Sequence, residues 1–176
     1  MSAWTLRRLS ALDDTSIEQL ATILVECVAL GASVSFKQPL SRDRALAFWR
    51  GVANGLAVGD RALLVAEDRE GLCGTVQSNY ARSENQQHRA DMTKLLVHPR
   101  ARRQGLGEAL AIAAESLAKD CGKTLLILDT ATPEAERLYD RLGWQRIGVI
   151  PEFALAPDGA RYKDTVLFFK KVAPHP

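Results

Sequence analysis

The chain has 176 residues, of which 23 are basic and 21 acidic, so its formal net charge is only +2. A charge this small gives no argument for a nucleic-acid or anionic-membrane partner, and we expect neither. The length suits one domain, residues 1–176, that buries roughly 70% of the surface its unfolded chain would expose. Three widely spaced cysteines, and no apolar stretch of ~18 residues, predict no disulfide framework, no membrane span and a cytoplasmic location.

The predicted elements begin with a short strand at residues 4–9, which two helices follow. N-cap chemistry at residues 13–16 precedes a helix that ends at Gly31. Ser41 or Asp43 starts the second helix, with Gly55 and Gly59 near its exit. Residues 61–67 and 72–80 have the composition of two strands joined by a turn, which predicts a β-hairpin.

The second half of the chain continues with a predicted strand at residues 89–97, a glycine-containing loop and an alanine-rich helix that Gly122 ends. A continuous apolar run at residues 124–128 is typical of a central buried strand, and Asp129 stands at its polar end. A short helix over residues 133–142 and two strands, at residues 144–150 and 162–170, complete the predicted sheet.

The most informative segment is the loop Arg102-Arg103-Gln104-Gly105-Leu106-Gly107-Glu108, which joins a strand to a helix. The first N–H groups of a helix have no intrahelical partner and lie at the positive end of its dipole, so they bind anions. Gly105 and Gly107 allow the backbone to approach such an anion closely, because a Cβ would occupy the space. The loop therefore predicts a site for a phosphate-bearing ligand.

The same loop resembles the acetyl-CoA motif of the GNAT family of N-acetyltransferases, through Arg102, Gly105 and Gly107 after a strand that ends in residues 95–97. Residues 31–36, 89–107 and 156–159 are similar to the tabtoxin-resistance branch of that family. The resemblance implies a mixed α/β fold with a central, mostly antiparallel sheet of about six or seven strands, splayed at the cofactor strand and flanked by about four helices. It also implies acetyl-CoA as co-substrate. The residues it assigns to cofactor binding are Leu95, Leu96, Val97, Arg102, Arg103, Gln104, Gly105, Leu106, Gly107, Glu108 and Thr132, the last of which stands where many relatives carry an asparagine.

The implied reaction transfers an acetyl group to the amine of a small molecule, and an amino-acid-like toxin or antibiotic is the acceptor that the resemblance suggests. Such a transfer needs a base for the ammonium, a donor for the oxyanion and a proton for the leaving thiolate. The resemblance indicates Asp91 as the base, and Asp129 is a second candidate because it follows the neighbouring buried strand. Tyr139 resembles the family tyrosine near the CoA sulfur, and an unperturbed phenol stays protonated at neutral pH, as a general acid must.

Other interpretations of the sequence can be compared with this one. Gly122-Lys123-Thr124 matches only the end of a Walker loop, and Leu110 stands where a Rossmann motif needs its third glycine, so both are excluded. The histidines share no helical or strand spacing, and no metal site is expected. A non-catalytic acyl-CoA-binding module and an acetyltransferase for protein N-termini or lysines both stay open. A homodimer is compatible with the sequence.

Overall fold

A computed structural model describes residues 4–172 of the chain. In this part of the chain the strands, β1 to β7 in sequence order, are Thr5–Leu9, Arg61–Asp68, Gly71–Tyr80, Arg89–Val97, Leu125–Thr130, Gln145–Leu155 and Tyr162–Lys171. The helices, α1 to α4, are Asp14–Ala29, Arg42–Ala57, Leu106–Asp120 and Pro133–Arg141. Short 3-10 turns lie at Glu84–Gln86 and Pro99–Ala101. No helix among residues 4–172 is both long and apolar enough to cross a bilayer.

The described strands form one sheet in the order β1-β2-β3-β4-β5-β7-β6. Neighbouring strands run antiparallel except β4 and β5, which are parallel. Parallel neighbours need a long crossover connection, and α3 supplies it between these two strands. The predicted mixed α/β fold, with its mostly antiparallel sheet and four helices, is confirmed.

Side-chain caps explain where α1 and α2 begin. Asp13 accepts a hydrogen bond from the Ser16 N–H at 2.8 Å, and Ser41 accepts one from the Arg44 N–H at 3.4 Å. Each cap satisfies an N–H group that has no partner within its helix. α3 begins differently, because its N-cap is Gly105, which has a φ of +77° and no side chain to act as a cap. The N–H groups in the first turn of α3 are therefore left for another acceptor.

Apolar side chains on the two faces of the sheet form two clusters. α1 and α2 cover one face, where Trp49 is fully buried, and α3 covers the other, where Leu110 and Phe168 are fully buried. Small side chains on α3, Ala111 and Ala114, bring that helix close to the strands. Burial of each large apolar side chain contributes about 1.5–3 kcal/mol. The central strands are thus packed against helices on both faces of the sheet.

The predicted elements are all present, and Gly55 and Gly59 lie near the exit of α2, as predicted. Two differences have physical causes. Asp129 lies within β5 and not after it, since β5 continues to pair with β7. β6 extends to Leu155 through an irregular segment around Glu152, which has a φ of +53°. An edge strand tolerates such a bulge because one side is free of a neighbour.

Candidate active site

β4 and β5 separate near the centre of the sheet. They pair only over Arg89–Asp91 on β4 and Leu125–Ile127 on β5, and they diverge beyond these residues. The second half of β4 still pairs with β3 but has lost its β5 neighbour. The resulting cleft has a volume of about 270 Å³ and is lined by residues 32–35, 92–96, 129–132, Ala135 and Tyr139. The divergence agrees with the splay that was predicted at this strand.

The end of β4 presents its backbone to the cleft and to the glycine loop. Leu95 and Leu96 line the cleft directly. The Val97 carbonyl accepts hydrogen bonds from Arg102 Nε at 3.1 Å and from the Cys27 thiol at 3.4 Å. Arg102 is therefore held against the end of the strand, and this carbonyl already has two donors.

Backbone hydrogen bonding is interrupted along the glycine loop. The Arg102 N–H donates at 3.3 Å into the preceding 3-10 turn, and the first bond of α3 runs from the Ala109 N–H to Gly105 at 3.1 Å. The N–H groups of residues 106–108 consequently have no intrahelical partner. A Cβ on Gly105 would meet no heavy atom within 4 Å, and one on Gly107 would meet only Val97 Cγ2 at 3.8 Å. An anion can approach these N–H groups without a steric obstacle.

The other loop residues assigned to the cofactor have different surroundings. Arg103 is exposed and has a φ of +61°. Gln104 bends back and donates to a carbonyl of the 3-10 turn at 3.3 Å. The Leu106 side chain is buried in the core, so only its backbone can contact a ligand. Glu108 pairs with Arg141 of α4 at 3.4 Å, which links the two helices beside the cleft.

Asp129 and Tyr139 lie on the β5 side of the cleft. The Thr165 hydroxyl of β7 donates to Asp129 Oδ2 at 2.9 Å, which fixes the orientation of the carboxylate. The Tyr139 ring is buried against Trp144 and Phe168, at centroid distances of 5.6 and 6.0 Å. Burial, and then the negative charge of Asp129, raises the pKa of Tyr139 above its ordinary value. The cleft therefore combines a carboxylate with a phenol that keeps its proton at neutral pH.

Asp91 and Thr132 already have partners within the protein. The Asp91 carboxylate is half-buried at the last paired position of β4, accepts a hydrogen bond from Arg89 at 2.6 Å and is not part of the cleft lining. Burial raises the pKa of Asp91, Arg89 lowers it, and the charge of Asp129 raises it further. Thr132 lines the cleft, and its hydroxyl caps α4 by accepting from the Ala135 N–H at 3.3 Å. Of the predicted carboxylates, Asp129 is the one that lines the cleft.

Lys94 also lies in the cleft, although the sequence did not single it out. It sits in a β-bulge, where the register with β3 shifts between Thr75 and Gln77, and its φ is +53°. Its Nζ lies 3.4 Å from the Ser35 hydroxyl, which belongs to the connection between α1 and α2. The sequence signal that could have identified Lys94 is the presence of a lysine in the apolar run at the end of this strand. The bulge that directs its side chain depends on pairing with a distant segment, which the local pattern does not reveal.

The connection between α1 and α2 borders the cleft. Residues 32–35 of this connection line the cleft. The Gln38 N–H donates to the Pro157 carbonyl at 2.7 Å, which ties this connection to the turn between β6 and β7. Within residues 4–172, no three His, Cys, Asp or Glu side chains are grouped as metal ligands.

Comparison with known families identifies this architecture. The acetyltransferase (GNAT) domain family matches residues 59–146, which is half of the chain and includes the glycine loop, Asp129 and Tyr139. The chain belongs to the GNAT acetyltransferase family. As a GNAT protein it is an acyltransferase, and acetyl-CoA is its co-substrate.

Individual relatives agree with this assignment. An uncharacterized N-acetyltransferase from the hisH-hisA intergenic region of Azospirillum brasilense is 29% identical over 131 residues, which cover 73% of this chain and 76% of the relative. The structure of yncA from Salmonella typhimurium with its cofactor acetyl-CoA is 21% identical, with a TM-score of 0.77, and the match covers 99% and 96% of the two chains. A phosphinothricin acetyltransferase from Sinorhizobium meliloti, in complex with acetyl-CoA, is 22% identical with a TM-score of 0.77 and coverage of 97% and 89%. At these identities the two structures establish the shared fold.

The cleft and loop of this GNAT protein fit acetyl-CoA. The space in front of Gly105 and Gly107 is open to a diphosphate, which the N–H groups of residues 106–108 and the exposed Arg103 would bind. The unpaired half of β4 offers backbone groups to the long neutral arm of the cofactor. Asp129 and Tyr139 line the same cleft, so the thioester end would lie beside them.

Proposed function

We propose that this GNAT enzyme transfers the acetyl group of acetyl-CoA to the amine of a small molecule, with amino-acid-like toxins or antibiotics as the acceptor class. The observation that carries the proposal is that Asp129 and a protonated Tyr139 line one cleft, where β4 and β5 separate. A carboxylate can take a proton from an ammonium and a phenol can give one to a thiolate, and acetylation of an amine needs both transfers. The likeness in fold to the phosphinothricin acetyltransferase, and the resemblance to the tabtoxin-resistance branch, support this acceptor class.

Acetyl-CoA supplies the activated acetyl thioester. The N–H groups at the start of α3 bind its diphosphate, with Arg103 as a further cationic partner and Arg102 and Gln104 at the border of the loop. The backbone of residues 95–97 holds the pantetheine arm in the way a neighbouring strand would, and an N–H group there polarises the thioester carbonyl. Thr132, on the opposite wall, caps α4 with its hydroxyl oxygen as acceptor, so its O–H remains available to donate to the cofactor.

Proton transfer is assigned to the two residues of the cleft. Asp129 removes a proton from the acceptor ammonium, through a water where the short side chain does not reach. Asp91 is the alternative base; burial raises its pKa, Arg89 lowers it, and the negative charge of Asp129 raises it further. Tyr139 donates its proton to the leaving thiolate, since a phenol is protonated at neutral pH; burial, and then the charge of Asp129, raises its pKa and makes it a weaker acid than an exposed phenol.

Release of free thiol from acetyl-CoA, measured with a panel of small amines and with peptide arrays, tests the proposal. Thiol release that depends on a small amine, together with the acetylated product in mass spectrometry, is the expected result. Acetylation of peptides without any acetylated small amine would instead assign the enzyme to protein N-termini or lysines. Binding of acetyl-CoA without transfer to either class would identify a non-catalytic module.

Domain extent, location and assembly are part of the same proposal. We propose that residues 1–176 act as one domain, since β1 and β7, near the two ends of the chain, belong to one sheet. Three free cysteines, two of them buried, support a reducing cytoplasm. β6 is an edge strand with exposed apolar side chains, including Val149 and Phe153, which supports a homodimer. Sedimentation of the wild type and of Phe153→Glu tests the dimer, and a monomeric wild type would rule it out.

A further inference from the structure

Lys94 is a cation without a carboxylate partner inside the proposed acceptor cleft. Its Nζ contacts the Ser35 hydroxyl at 3.4 Å and lies 5.7 Å from the centroid of the Phe48 ring. Within residues 4–172, no carboxylate oxygen lies within 4 Å of this ammonium. A lysine ammonium has three N–H donors, so two of them remain for a ligand.

The backbone around Lys94 is strained on both sides of this contact. Lys94 has a φ of +53° and Ser35 a φ of +74°, and neither residue is a glycine. Non-glycine residues in this region cost about 1–3 kcal/mol each and persist where the surrounding structure over-determines them, often at ligand sites. The surrounding structure thus maintains a strained backbone at Lys94, whose side chain lines the cleft.

The electrostatic surroundings of Lys94 favour an anionic ligand. Burial lowers the pKa of Lys94, and the charge of Asp129 partly offsets the effect by raising it. An incoming carboxylate would stabilise the ammonium further, because opposite charges within about 4–6 Å favour the charged form of each other. Among the residues that line the cleft, Lys94 is the only cation and Asp129 the only carboxylate. The cleft therefore has one site for each charge of a zwitterion.

The location of Lys94 separates it from the phosphate site. It precedes the end of β4, and its contacts are with α2 and with the connection between α1 and α2. The glycine loop follows the end of β4 and leads into α3. An anion bound at Lys94 thus belongs to the acceptor and not to the diphosphate of acetyl-CoA.

We propose that Lys94 binds a carboxylate of the acceptor, so that the acceptor is a small zwitterion whose amine lies toward Asp129. Lys94 is then a residue that determines specificity. This inference rests on the proposed function, since it assumes that an amine is acetylated in this cleft. The carboxylate accepts hydrogen bonds from the Lys94 ammonium, while Ser35 keeps that ammonium in position.

The test compares amino acids with their carboxamides, which have nearly the same shape but lack the negative charge. For each pair, kcat/KM is measured with the wild type, Lys94→Met, Lys94→Arg and the control Lys37→Met, which removes an exposed lysine from the same connection. The wild type is expected to prefer the acid. Lys94→Met should lower the acid-to-amide ratio by about 10- to 100-fold, the range of one hydrogen bond to a charged group. Lys94→Arg should retain much of the ratio, and Lys37→Met should leave it at the wild-type value.

Taking the acid-to-amide ratio within one variant cancels the amount of folded enzyme, and comparing that ratio between variants cancels the difference in amine pKa between an acid and its amide. If Lys94→Met does not fold, Lys94→Gln removes the charge and keeps a polar side chain. Amides that are acetylated as well as acids by the wild type, or a ratio that Lys94→Met or Lys94→Gln leaves unchanged, would overturn the role of Lys94 and leave the proposed function intact. If the wild type binds acetyl-CoA but acetylates neither member of any pair nor any other small amine, the proposed function fails and this inference fails with it.

Discussion

Replacing Gly105 with aspartate is expected to weaken CoA binding strongly while the protein stays folded. Gly105 is the N-cap of α3, its φ is +77°, and a Cβ there meets no heavy atom within 4 Å. The variant therefore carries a backbone strain of roughly 1–2 kcal/mol but no steric clash within the protein. Its carboxylate lies where a diphosphate would approach the N–H groups in the first turn of α3.

The magnitude follows from the repulsion between the new carboxylate and the diphosphate. Two unit charges about 4 Å apart interact by about 4 kcal/mol at an effective dielectric constant near 20, and solvent and salt around an exposed loop reduce this toward about 2 kcal/mol. Since about 1.4 kcal/mol corresponds to a factor of ten, the dissociation constant for CoA should rise by about 30- to 1000-fold.

Gly122 provides a matched control at the other end of α3. Its φ is +70°, and a Cβ there also meets no heavy atom within 4 Å. Gly122→Asp imposes the same kind of backbone strain about 25 Å away, given the rise of 1.5 Å per helical residue. Titration calorimetry with CoA and thermal unfolding should be measured for both variants. A Gly105→Asp protein that binds CoA as tightly as Gly122→Asp would remove the glycine loop from the cofactor site.

Three further changes test other parts of the molecule. Asp129→Asn should lower kcat/KM most at low pH, where the amine is protonated, and kcat/KM should recover as the pH approaches the amine pKa. If Asp91→Asn shows this pH dependence and Asp129→Asn does not, Asp91 is the base. Tyr139→Phe should lower kcat about 100-fold in steady-state assays with little change in CoA affinity, whereas near-normal turnover with weakened CoA binding would contradict the acid role. The Lys170 ammonium lies 2.6 Å from the buried Glu115 carboxylate, and Lys170→Met leaves that carboxylate without its partner. The free energy of unfolding in urea should fall by about 3 kcal/mol. A loss below about 1 kcal/mol would refute a stabilising role for this ion pair.

Features set by neighbouring residues could be predicted from the sequence. Asp13 and Ser41 act as caps at the positions where the pattern indicated helix starts, because capping joins residues only three apart. The glycine loop was recognisable for the same reason, since the strand end, Gly105, Gly107 and the helix start follow one another directly. A cap or a loop whose residues follow one another along the chain can be recognised from that stretch of sequence alone.

Features set by distant partners could not be predicted. The side chain of Lys94 enters the cleft because β4 bulges against β3, and the bulge depends on how two strands align. Asp129 is oriented by Thr165, which lies 36 residues further along the chain. Arg102 contacts Cys27 across 75 residues, so no local pattern indicates that this arginine is held against the end of β4. Each of these contacts forms only when the sheet is complete.

The separation of β4 and β5 creates a strand edge in the interior of the sheet, and this has a consequence for the lifetime of the protein. A ligand that lies along β4 occupies the place that a neighbouring strand would take. It therefore binds the folded chain and not the unfolded one. The free energy of unfolding then rises with the ligand concentration, and a ligand at 100 times its dissociation constant adds about 2.7 kcal/mol. Resistance to proteolysis should therefore rise and fall with the acetyl-CoA pool, which would adjust the amount of enzyme to the supply of its own co-substrate.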